Sequence, residues 1–83
     1  MEQKYRKVFV NALVLHSKDA GKIPRAIDFE GTTYKIDRLT GRKRAASMKV
    51  GGTGIRYSIE IGGKNTYLYE DGDDWYVEAK ENQ

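Results

Sequence analysis

The sequence predicts an all-β domain, and three observations carry that expectation. Val, Ile, Thr and Tyr recur in short runs bounded by Gly, Asp and Asn. No segment sustains apolar residues at the i, i+3, i+4, i+7 spacing of an amphipathic helix. The chain has 83 residues and no cysteine, so one small core must hold without disulfides or thiolate metal sites, and a sheet closing on itself is a compact way to build it. The expected architecture is a small antiparallel meander of about six strands closing into an SH3-like barrel. It is a single domain over residues 1–83, with an ordered core of about 5–80.

The first expected strand runs from Tyr5 to His16 and is apolar on both faces. Val8, Val10, Ala12 and Val14 share one face; Phe9, Leu13 and Leu15 share the other. A long, bent strand shared by two halves of a barrel accounts for this two-sided pattern, which leaves open whether Phe9 or Val10 faces the core. Asp19-Ala20-Gly21-Lys22 reads as a turn. The second run, Ile23 to Glu30, places Ile23, Ile27 and Phe29 on one face, interrupted by Arg25, and Pro24 suits a strand edge or start. After a turn at Glu30-Gly31-Thr32, the third run spans Thr33 to Leu39 with Tyr34 and Ile36 inward.

Arg42 to Lys49 is long enough for one helical turn, which Gly51, Gly52 and Gly54 would end. The fourth strand, Ile55 to Ile61, has the cleanest alternation: Ile55, Tyr57, Ile59 and Ile61 against Arg56, Ser58 and Glu60. Gly62-Gly63-Lys64-Asn65 forms a hairpin turn into the fifth strand, Thr66 to Glu70. Asp71-Gly72-Asp73 turns into the sixth, Asp74 to Lys80. On these last two, Tyr67, Tyr69 and Tyr76 fall on the face opposite Leu68 and Val77. Trp75, with Val77 and Ala79, reads as core, or as a rim anchor for a partner.

Charge is distributed unevenly. Residues 1–56 carry +8 and residues 57–83 carry −5, for a net +3. Such asymmetry gives a domain opposite-signed faces, unless the two halves pair across the sheet and neutralise each other. No apolar stretch approaches the ~20 residues needed to span a bilayer, and Met1-Glu2-Gln3-Lys4 lacks the apolar core of a signal peptide. Cytoplasmic residence without a membrane partner is the expectation.

Catalytic patterns are absent. His16 is the sole imidazole, and no spacing pairs it with Ser17, Ser47 or Ser58 as base to nucleophile. Glu60 and Glu70 can meet across a hairpin, but acid–base work also needs a pocket that shifts a pKa. Asp71, Asp73 and Asp74 lack the Asp-x-Asp-x-Asp-Gly spacing of a calcium loop. Gly51-Gly52-Thr53-Gly54 fails the dinucleotide fingerprint, because Tyr57 stands at the third glycine's place. It fails the P-loop as well, since a strand follows it. The expectation is a non-enzymatic module with no metal and no cofactor.

The most suggestive feature is a basic arm. Arg38, Arg42, Lys43, Arg44 and Lys49 fall within twelve residues with no acid among them; Lys35 precedes them and Arg56 opens the next strand. A positive stripe of this kind suits the phosphate backbone of DNA or RNA, because neutralised phosphates release counterions. Gly51, Gly52 and Gly54 would let the loop approach that backbone. Tyrosines on the outer face would offer stacking platforms for single strands. Sequence-specific readout is not expected, since no helix is available for a major groove. The alternative is a protein-interaction adaptor using exposed aromatics and the acidic final hairpin.

The segments KVFVNALVLHSKDAGKIPRAIDFEGTTYKIDR, AASMKVGGTGIRYSIEIGG, TYLY and DWYVEAK resemble an uncharacterised family of small proteins. That family is encoded on integrative and conjugative mobile elements of Gram-positive bacteria, often near genes for error-prone DNA polymerases. The likeness runs from about Lys7 to Lys80, and Ile23-Pro24-Arg25, Tyr34-Lys35-Ile36-Asp37-Arg38 and Gly54-Ile55-Arg56-Tyr57 are its most distinctive pieces. It implies a mobile-element protein linked to DNA transactions, with an element-encoded protein or a polymerase as a partner. It supplies no site residues.

Overall fold

A computed structural model describes residues 4–44 and 54–81. Among them the chain forms seven antiparallel strands: β1 (Tyr5–Ser17), β2 (Gly21–Phe29), β3 (Thr32–Lys35), β4 (Arg38–Arg44), β5 (Ile55–Ile61), β6 (Lys64–Asp71) and β7 (Asp74–Lys80). They join in one sheet in the order β3-β2-β1-β7-β6-β5-β4. The sheet curls into a half-barrel. No helix of the described residues is long and apolar enough to cross a membrane.

β1 is the spine. Thirteen residues at about 3.4 Å each match the 44 Å long axis of the molecule. Its first half, Tyr5 to Val10, pairs with β7. Its second half, Asn11 to Ser17, pairs with β2 on the other side. The strand is shared as expected, but it is not buried on both faces: Phe9, Leu13 and Leu15 are exposed on the outer one. Val10 and Ala12 pack against the core; Phe9 is 62% exposed and Leu13 68%.

The core lies on the concave side, where Tyr57, Ile59 and Leu68 are essentially sealed, with Ile27 and Ile36 beside them. Trp75, Val77, Ile55 and Ile61 pack around this cluster. The two-residue turn at Gly62-Gly63, both with positive φ, extends the β5–β6 hairpin to Ile61 opposite Lys64.

Three features depart from the sequence reading. First, the expected strand from Thr33 to Leu39 breaks after Lys35. The Ile36 N–H donates to the Arg25 carbonyl at 2.9 Å, and the next N–H, of Asp37, donates to the Glu60 carbonyl at 2.8 Å. The chain therefore steps from β2 to β5 within one residue and drops Ile36 into the core. The Asp37 carboxylate accepts the Gly62 N–H at 2.8 Å and fixes the crossing. Second, Arg38 to Arg44 form a strand on β5, not a loop or helical turn, so the count is seven and not six. Third, a register shift in the β1–β2 pair brings Pro24 opposite Val14 and leaves Arg25 as the extra residue. Pro24 is fully buried and Ile23 pairs with exposed Leu15. Ile23 thus lies on the opposite face from Ile27, because the bulge inverts the alternation between them.

The first and last strands do pair, as β1 with β7, and the sheet's edges are β3 and β4. Side chains link β4 to the β1–β2 turn and β2, and β2 to β6. Arg42 Nη1 on β4 donates to the Ala20 carbonyl at 2.8 Å and Nη2 to the Lys22 carbonyl. Lys22 Nζ reaches the carboxylate of Glu70 on β6, and the Tyr57 hydroxyl donates to the same carboxylate at 2.8 Å.

The β2–β3 turn carries a local strain. Glu30 has φ 50°, the only non-glycine with positive φ among the described residues. Glu30→Asn places a residue that tolerates this region before Gly31. The expected gain is about 0.5–1 kcal/mol, a rise in melting temperature of roughly 2–8 °C by calorimetry.

Candidate nucleic-acid interface

Pairing with β5 distributes the basic residues between two faces. Arg38 lies opposite Glu60 and Lys43 opposite Arg56, on the outer, convex face. Arg42 lies opposite Tyr57, on the inner face. The register shifts between Leu39 and Gly41, where Thr40 is the extra residue and its hydroxyl donates to the Ser58 carbonyl at 3.2 Å. That bulge puts two inward positions, Leu39 and Arg42, three residues apart.

Arg42, although exposed, is consequently tied to its own chain. Its guanidinium holds the carbonyls of Ala20 and Lys22 and sits 5.5 Å from the Tyr57 ring centroid. Burial, then the Glu70 hydrogen bond and charge, push the Tyr57 hydroxyl up to about 12, against the opposing pull of Arg42. Gly54 is also spoken for. Its φ is 128°, and a Cβ there would stand 1.9 Å from the Glu70 carbonyl oxygen. Its close approach is to β6 of its own chain. Lys49, Gly51 and Gly52 lie outside the described residues, as does Ser47.

Arg38, Lys43 and Arg44 are exposed on β4, an edge strand. Arg56 joins Arg38 and Lys43 on the outer face, its guanidinium 4.4 Å from the Tyr67 ring centroid, whereas Arg44 lies opposite Ile55, on the same side of β4 as Arg42. Lys35 is exposed at the end of β3, opposite Ala26, three residues before Arg38 opens β4. The sequence argument missed Lys7. It lies opposite Glu78 with its ammonium 4.8 Å from the Tyr76 ring, and only the β1–β7 pairing places it on this face.

The outer face also carries a row of rings. Tyr67 and Tyr69 are 6.5 Å apart, Tyr69 stacks on Tyr76 at 5.0 Å, and Phe9 meets the Tyr76 ring edge-on at 5.9 Å. The middle of the row is closed: Tyr69 and Tyr76 are buried, and the Tyr69 hydroxyl donates to Glu78 at 3.0 Å. Burial, then Asp71 and Glu78, raise the Tyr76 hydroxyl pKa. Only the ends, Tyr67 and Phe9, present ring surface to solvent.

Of the residues considered for catalysis, Ser17 Oγ accepts the Ala20 N–H at 3.1 Å within the β1–β2 turn. Glu60 pairs with Asn65 across the β5–β6 hairpin and Glu70 pairs with Ile55, so the two carboxylates do not face each other. Among the described residues no group of three or more His, Cys, Asp or Glu side chains converges to hold a metal ion. No protein-family model, curated protein or solved structure matches the chain.

Proposed function

We propose that the domain is a non-enzymatic module, with an SH3-like half-barrel as its scaffold, that binds the phosphate backbone of single-stranded nucleic acid along β4 and the neighbouring outer face. The observation that carries the reading is the group of exposed cations on one sheet edge, Arg38, Lys43 and Arg44, beside the Arg56–Tyr67 stack. Cations at strand spacing track a phosphate chain, and an aromatic ring beside them accepts a base without selecting its identity. Phe9 is a second platform across the sheet. The resemblance to a mobile-element family supports the same setting, in which single strands arise during DNA transfer and synthesis.

On this reading the ligand is held by charge, so salt weakens it steeply. Four phosphate contacts give a log–log slope of about −3, on the order of a 50-fold loss between roughly 50 and 200 mM salt. Lys43→Glu with Arg44→Glu is expected to abolish binding of a labelled oligothymidylate in fluorescence anisotropy. Tyr67→Leu is expected to weaken it by about tenfold, as for one lost stacking platform. Unchanged affinity in the double variant would refute the assignment.

A further inference from the structure

A cleft of 230 Å³ opens beside Tyr67, lined by Tyr5, Asn65, Thr66, Tyr67 and Glu78. Its cause is a parting of strands. β6 and β7 pair only from Tyr69–Tyr76 to Asp71–Asp74, although β6 begins at Lys64 and β7 runs on to Lys80. Before Tyr69, β6 follows β5; after Tyr76, β7 follows β1, so the two strands diverge.

Register places this lining on the outer face. Tyr67 lies opposite Ser58 and Asn65 opposite Glu60, on the outer side of the β5–β6 hairpin. Tyr5 lies opposite Lys80, and Glu78 opposite Lys7, whose ammonium sits over the outer Tyr76 ring. The strand order puts Arg56 on the β5 side of Tyr67, and Glu78 and Tyr5 on its β7–β1 side. The Tyr67 ring is 43% exposed between them. The Glu78 carboxylate accepts the Tyr69 hydroxyl at 3.0 Å, and a carboxylate has about four acceptor sites. The exposed Asn65 amide offers a donor and an acceptor.

We propose, resting on the phosphate-binding reading above, that this cleft takes the base-pairing edge of a guanine in the bound strand. The base stacks on Tyr67 and turns that edge toward Glu78. Guanine alone carries two adjacent N–H donors there, N1–H and the 2-amino group, which one carboxylate accepts together. Its O6 accepts from the Asn65 amide. Adenine, cytosine and thymine each set an acceptor beside their donor, and that acceptor meets the negative charge of Glu78. Stacking on a tyrosine is indifferent to base identity, so Glu78 and Asn65 make the choice. A single strand exposes its base edges, so this readout needs no helix in a major groove. The volume lies below the about 300–1,000 Å³ of a whole-ligand pocket, as suits a lone base whose sugar and phosphate stay outside.

The test uses fluorescence anisotropy with the full chain at low salt. It compares labelled oligothymidylate with the same oligomer carrying one central guanine or one central hypoxanthine. The guanine oligomer is expected to bind about tenfold tighter than oligothymidylate, as for one bidentate contact. Hypoxanthine lacks the 2-amino group and is expected to fall between. Glu78→Gln keeps an acceptor for the Tyr69 hydroxyl and is expected to abolish the difference between guanine and thymine. Asn65→Ala, at an exposed position, is expected to reduce it. Free guanosine monophosphate presents the same edge with a single phosphate, so it is expected to displace the guanine oligomer far less effectively than unlabelled oligomer does. Equal affinity for the three oligomers, or a guanine preference undiminished in Glu78→Gln, would overturn the base assignment and leave the basic edge standing. Displacement by the mononucleotide as effective as by the oligomer would overturn the assignment to a strand. Failure of every oligomer to bind would overturn both this inference and the reading beneath it.

Discussion

Gly54→Ala is expected to leave the domain largely unfolded. The substituted Cβ would fall 1.9 Å from the Glu70 carbonyl oxygen and 2.9 Å from its carbon, both backbone atoms of a paired strand. Neither can yield without breaking the β5–β6 ladder, and φ of 128° is a conformation that L side chains rarely adopt. Overlap and backbone strain together cost upward of about 3–4 kcal/mol. A domain of this size commands little more than that. Loss of the cooperative urea transition, or a midpoint near zero denaturant, is the expected result. A variant melting within a few degrees of the parent would show that β6 does not pass this close to Gly54.

Glu70→Ala is expected to cost about 2–4 kcal/mol in urea denaturation. Glu70 is 6% exposed, and its carboxylate accepts from both the Tyr57 hydroxyl and Lys22 Nζ. Removal strands a hydroxyl on a side chain only 1% exposed and severs the link from β2 to β6 across the interior. Lys22 keeps partial access to water, which places the loss below that of a fully buried pair. Glu70→Gln keeps an acceptor for Tyr57 and forfeits the charge, so about 1 kcal/mol is expected. The same cluster sets an alkaline limit. The folded state holds the Tyr57 proton more tightly than the unfolded chain, where the hydroxyl titrates near 10. Its contribution is therefore complete below pH 10 and is lost as pH rises toward about 12. Tyr57→Phe is expected to flatten that decline in a pH series of urea midpoints.

These two positions also show where the sequence speaks and where it is silent. Turn chemistry is local, so Gly62-Gly63 and Asp71-Gly72-Asp73 disclose both hairpins, and the alternation in Ile55 to Ile61 discloses its own faces. The length of the Tyr5 to His16 run discloses a long strand serving two halves of the sheet, but its two-sided apolar pattern misleads about burial, since Phe9, Leu13 and Leu15 are exposed. The break at Ile36–Asp37 is invisible because its cause lies in the carbonyls of Arg25 and Glu60, remote in sequence. The basic arm conceals β4 because its inward position is filled by Arg42, whose long side chain reaches carbonyls across the half-barrel. Charge alone marks Arg42 and Lys43 as equivalents; only register separates Arg42, opposite Tyr57 and tied to the carbonyls of Ala20 and Lys22, from Lys43, opposite Arg56 on the outer face. Lys7 joins the outer face beside Tyr76 only through the path of β1.

The central claim is that an exposed basic edge binds a phosphate chain. A backbone-amide NMR titration tests it most directly, using a short oligothymidylate and a duplex of matched length at about 50 and 200 mM salt. The expected result is a set of shifts confined to β4, Arg56, Tyr67 and Phe9, stronger with the single strand and largely lost at the higher salt. Absence of shifts at the lower salt, or shifts centred on Asp28, Asp73 and Asp74, would contradict it.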